Sequence, residues 1–106
     1  MKLLSAVLLC CAVPAAWSAP FAYVSSEKDD ALAIVDLATQ TVQGTIATCK
    51  RPRHMHVSAD RARITVACAD SNAADVIDLA ARKSVGRIPL GDAPEAFDYS
   101  PDGKTL

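Results

Sequence analysis

The chain has 106 residues, 51% of them hydrophobic, with 11 basic and 12 acidic side chains and a formal net charge of −1. An apolar share of that size belongs to a folding chain rather than a disordered one. Charges of both signs are interspersed and nearly cancel, which excludes the electrostatic footprint of a nucleic-acid-binding or anionic-membrane surface.

The first element in chain order is a leader. Lys2 precedes an apolar run from Leu3 to Val13, followed by Pro14, Ala15, Ala16, Trp17 and Ser18. A positive start, a short apolar centre and a small-residue zone read as a secretory signal over residues 1–18. Ala16 and Ser18 fill the two small-residue positions for cleavage after Ser18, whereas a cut after Ala19 would use Trp17 and leave Pro20 just beyond it. The run is shorter than the roughly 20 residues a spanning helix needs, so no stable membrane insertion is expected after cleavage. Cys10 follows Leu8 and Leu9, where a lipid anchor would want a small residue. Cys10 and Cys11 leave with the signal. Cys49 and Cys68 stay in an exported, oxidising setting, where they are candidates for a disulfide if their Cα atoms come within about 4.4–6.8 Å.

After the leader the sequence repeats itself. Val24, Asp36, Leu37, Ala38, Gly44, Ile46, Pro52, Ser58 and Asp60 recur, 42 residues later and without a gap, as Val66, Asp78, Leu79, Ala80, Gly86, Ile88, Pro94, Ser100 and Asp102. Short β-rich runs lie between polar turns. A strand ends at Tyr23 and Val24; others cover Ala31 to Val35, Val42 to Ile46, Met55 to Ser58, Ile64 to Ala67, Ala74 to Ile77 and Val85 to Ile88, and Ala96 to Tyr99 begins another. No run has a sustained helical period. In Ser100-Pro101-Asp102-Gly103-Lys104, Pro presets φ, Asp bonds its own backbone and Gly accepts the left-handed corner of a bulged hairpin. The equivalent Ser58-Ala59-Asp60-Arg61-Ala62 lacks both Pro and Gly, so Arg61 is expected at positive φ at some steric cost. Asp36 and Asp78, each ending a strand, are read as turn-capping carboxylates rather than a catalytic pair, because repeats copy scaffold before chemistry.

A period near 42 marks four-stranded units of a β-propeller, an all-β fold that needs about four to eight blades around a channel. About two four-stranded blades are expected here, as repeats 23–64 and 65–106. Ser100 to Leu106 open a further repeat, and the chain reads as the first part of a larger ring.

Tyr23-Val24-Ser25, Ile34-Val35-Asp36, Val76-Ile77-Asp78 and Ser100-Pro101-Asp102-Gly103-Lys104 resemble the YVTN family of bacterial β-propeller repeats. Lys50-Arg51-Pro52-Arg53, Val66-Ala67-Cys68-Ala69-Asp70-Ser71 and Gly91-Asp92-Ala93-Pro94-Glu95-Ala96-Phe97 are more narrowly similar to exported propellers associated with PQQ-dependent catabolism. This resemblance implies a seven-bladed periplasmic protein encoded alongside PQQ-dependent alcohol oxidation, with no catalytic residues to carry over. The chain departs from the repeat pattern at Cys49 and His54, where the pattern has Gly, and at Ala59 and Arg61, where it has Pro and Gly.

In a blade, the loop after the second strand and the crossover to the next blade emerge on one rim. Arg51, Arg53, His54 and Glu95 lie at crossovers and are the candidate ligand-binding residues, and Glu27, Lys28, Asp29, Asp70 and Asn72 lie in the second-strand loops. Two arginines beside a strand start form a fork suited to a small carboxylate ligand, of which PQQ is an example. The alternative is that both pair with neighbouring acids on a solvated edge. His54 and His56 share one side of their strand, but a metal centre wants three or four ligands and no third is evident in sequence, so they are read as core or channel-lining. No phosphate loop, nucleophile elbow or haem-attachment motif is present. No cofactor is assigned.

The leading expectation is a non-enzymatic periplasmic binding or scaffold protein of a PQQ-dependent dehydrogenase system. A propeller lactonase or oxidoreductase with its active site in other blades, and a cell-surface adhesive protein, are the alternatives, because fold alone does not decide among them.

Overall fold

The computed structural model describes residues 20–106. The expected signal, with Cys10 and Cys11, lies outside the described residues. Seven antiparallel strands form two sheets. The first sheet holds β1 (Phe21–Ser26), β2 (Ala31–Asp36) and β3 (Thr41–Ala47), and the second holds β4 (Pro52–Val57), β5 (Arg63–Cys68), β6 (Ala73–Asp78) and β7 (Lys83–Pro89), each in sequential order.

The apolar alternation that predicts the strands also joins the sheets. Leu32, Ile34 and Ile46 from the first sheet pack with Ile64, Val66 and Ile77 from the second, and Cys49 and Cys68 complete the cluster. Each such aliphatic side chain, once buried, contributes roughly 1.5–3 kcal/mol before entropy is counted. Tyr23, Met55 and Leu79 close the margins. The second sheet is one complete four-stranded blade, whereas the first has three strands. The position one period before β4 falls within the residues that lie outside the description.

The repeat extends to backbone torsions. Positive φ at Asp30, Gln40, Arg51 and Arg61 is matched 42 residues later at Asn72, Arg82, Ala93 and Gly103. Strand irregularities match as well, between Ile34 and Val35 and between Val76 and Ile77. In the β4–β5 hairpin the Asp60 carboxylate accepts from Ser58 Oγ at 2.6 Å and from the Ala62 N–H at 3.0 Å. Asp102 takes the same bonds, from Ser100 Oγ at 2.6 Å and the Lys104 N–H at 3.0 Å. The loss of Pro and Gly from the first hairpin therefore changes the torsional cost and leaves its hydrogen bonding in place. Asp36 accepts the Ala38 N–H at 2.8 Å, and Asp78 the Ala81 N–H at 3.0 Å, so both cap turns.

Two differences from expectation exceed a residue or two at a strand end. β4 begins at Pro52, upstream of Met55, because a missing N–H is tolerated at the first residue of a strand. Ala96 to Tyr99, expected to begin a strand, has no ladder partner among the described residues and is not one. It is held by side chains instead: Tyr99 OH lies 2.7 Å from Thr65 Oγ1.

Candidate functional site at the crossover rim

The segment joining the sheets, residues 48–51, is fixed almost atom by atom. The Cys49 N–H donates to Asp75 Oδ2, the Lys50 N–H to Ser71 Oγ and the Arg51 N–H to Asp30 Oδ1, each at 2.8 Å. In return the Ala69 N–H donates to the Arg51 carbonyl at 3.0 Å and the Asp70 N–H to the Lys50 carbonyl at 3.2 Å. Three consecutive amides are thus held by side chains from β6, the β5–β6 turn and the β1–β2 turn. Cys49 and Cys68 are joined as a disulfide with Cα atoms 5.7 Å apart, and both are buried.

This anchorage aims Arg51 and Arg53 outward along one rim. Glu27, from the β1–β2 turn, spans them: its Oε2 lies 3.2 Å from Arg51 Nε and its Oε1 3.1 Å from Arg53 Nε. Arg53 Nη1 also meets Glu95 Oε1 at 2.8 Å, and Arg51 Nη1 approaches Asp70 Oδ1 at 3.7 Å. The hydrogen bond and charge of Glu27, followed by Asp70, hold the Arg51 guanidinium above its ordinary pKa. Arg53 and Glu95 stand 42 residues apart, so equivalent positions of successive repeats touch across the blade boundary.

Arg51, Arg53 and Glu95 therefore assemble as one ion cluster, with the acids taking the partner role that a solvated edge predicts. His54 does not join them. It points to the other side of β4 and meets Phe97 edge-on at 5.1 Å, while His56 meets Tyr99 at 4.9 Å. These rings bind the following segment to the sheet. Among the described residues no group of three or more His, Cys, Asp or Glu side chains is placed to hold a metal, and no helix is long and apolar enough to cross a membrane. A cleft of about 470 Å³ at the opposite end of β4 is lined by His56, Thr65, Tyr99 and hairpin residues and includes none of the arginines.

Sequence reasoning misses one residue and the bridging role of another. Asp75 is wholly buried on β6 and binds the Cys49 N–H, the Ser84 hydroxyl and, at 3.9 Å, Arg87 Nε. The only signal in the sequence is a carboxylate inside an otherwise apolar run. Glu27 is readable as a rim residue, but its bridging of both arginines depends on distances that spacing does not encode.

The family model for YNCE-like β-propellers matches residues 3–106. Among solved structures, Kuenenia stuttgartiensis hydrazine synthase matches with a TM-score of 0.72 and 31% identity, over 79% of this chain and 24% of that one. Apo AztD from Citrobacter koseri matches with a TM-score of 0.60 and 23% identity, over 71% of this chain and 21% of that one; at that identity the likeness is one of fold alone. The chain thus spans less than a quarter of the length of either solved chain. Comparison with curated proteins returns no match. By the extent of the family match and the repeated four-stranded architecture, this chain belongs to the YNCE-like β-propeller family.

Proposed function

We propose that the chain belongs to an exported, non-catalytic propeller that serves as a binding scaffold in PQQ-dependent alcohol catabolism, with Arg51 and Arg53 on its ligand-facing rim. The supporting observation is the convergence of two arginines and three acids from both sheets onto one anchored crossover. Rigid placement of a guanidinium pair suits recognition of planar carboxylates, since the fork geometry is set before the ligand arrives. His54 takes no part in this reading, because its ring is engaged on the other face. The ligand is a small carboxylate such as PQQ, or an acidic surface of the dehydrogenase system. Export follows from the leader at residues 1–18, with cleavage after Ser18.

The test is fractionation of cells expressing the full-length protein, followed by titration of the purified product with PQQ. A processed periplasmic protein that binds PQQ, and loses at least tenfold in affinity on Arg53→Ala, is the expected result. Cytoplasmic retention of unprocessed protein would overturn the export assignment. Equal PQQ affinity of the parent and Arg53→Ala would remove the arginine rim from the reading.

A further inference from the structure

We infer that Glu27 is a resident substitute for a ligand carboxylate, and that a small polycarboxylate docks on Arg51 and Arg53 by displacing it. This rests on the carboxylate-binding reading above and adds a competitor to it. One carboxylate already sits between the two guanidinium groups, with one oxygen 3.2 Å from Arg51 Nε and the other 3.1 Å from Arg53 Nε. The gap between the arginines is therefore sized for a carboxylate, and the occupant is supplied by the protein.

All three side chains of this contact reach into solvent from anchored backbone. The arginines rise from a backbone pinned at Cys49, Lys50 and Arg51 and tied by the disulfide. Glu27 extends from a turn, and its side chain is 42% exposed, much like those of Arg51 and Arg53 at 45% and 31%. Ion pairs this open to water contribute little, because solvent screens them and ordering two long side chains costs entropy. Glu27 can swing into water without disturbing the backbone that carries the arginines. Glu95 and Asp70 flank the pair and set a charge condition. A single carboxylate gains little by replacing Glu27, whereas a ligand with two or three carboxylates engages both arginines at once through separate groups, a gain that has to outweigh repulsion from the flanking acids. The ligand class is accordingly a compact di- or tricarboxylate.

Citrate is a suitable probe. In isothermal titration of the full-length protein at low salt, Glu27→Gln keeps the turn and removes the competing charge. It is expected to tighten citrate binding about fivefold, the scale of one exposed ion pair. Arg53→Ala is expected to weaken binding at least tenfold, and raised ionic strength to weaken both. Thermal melting of each variant confirms that it is folded. Citrate binding that depends on Arg53 but is unchanged or weakened by Glu27→Gln would overturn the displacement inference and leave the carboxylate-binding reading standing. Absence of citrate and PQQ binding in both the parent and Glu27→Gln would overturn both.

Discussion

Arg61 and Gly103 occupy the same left-handed corner in successive hairpins, with φ of 58° and 70°. An L-residue there crowds its Cβ against the backbone, at a cost of about 1–2 kcal/mol, while glycine gives back part of that advantage through its freer unfolded chain. Arg61→Gly in the full-length protein is therefore expected to stabilise by about 0.5 kcal/mol in denaturant unfolding. Gly103→Ala is expected to destabilise by about 1 kcal/mol, wholly through the backbone, because an added Cβ would meet nothing within 4 Å. A loss of stability in Arg61→Gly would show that the guanidinium contributes more than its strain costs. The carboxylates beside these corners behave alike: the Ser58 hydroxyl and then the Ala62 amide hold Asp60 below the ordinary aspartate range, and Ser100 and Lys104 do so for Asp102. Because the folded values are the lower ones, this support is present at neutral pH and fades as pH falls through them.

Among the elements, the crossover carries the most concentrated restraint. The disulfide spans a sequence separation of 19 residues that encloses β4, its hairpin and β5. Loop-closure arguments assign such a bridge about 3 kcal/mol. Replacing both cysteines by serine is expected to lower unfolding stability by that order, with the parent falling to the same level in dithiothreitol. Equal stability of the oxidised parent and the double variant would show that the pinned amides suffice alone. Legibility in the sequence follows the same division between local and distant causes. All seven strands and the left-handed Arg61 are readable, since period-two patterning and turn residues are local signals. The start of β4 is not, because Arg53 and His54 interrupt the apolar pattern and their partners lie on other elements. Ala96 to Tyr99 carries the pattern of a strand, but pattern does not supply a ladder neighbour. Asp75 was invisible because its main partner, the Cys49 amide, is 26 residues away.

At the scale of the whole molecule, the two sheets cover only one face of each other. Val24, Val42, Val57 and Val85 remain exposed, and β1 has a free inner edge among the described residues. Apolar surface beside an unpaired strand favours association with further strands. Residues 20–106 expressed alone are expected to self-associate on size-exclusion chromatography; a monomer with a sharp cooperative melt would contradict this. Repetition adds a hazard of its own, since modules built alike can dock on the wrong sibling. Here the sequence breaks the likeness: Ala33 stands where the second module has Asp75, Ser26 where it has Cys68, and Gly91 where the preceding crossover has Cys49. Ser84 and Arg87 of its own sheet serve one oxygen of the buried carboxylate, and the Cys49 amide serves the other, so a misplaced module would leave that second oxygen without a donor. Asp75 thus works as an address label, telling one otherwise interchangeable blade which companion to accept.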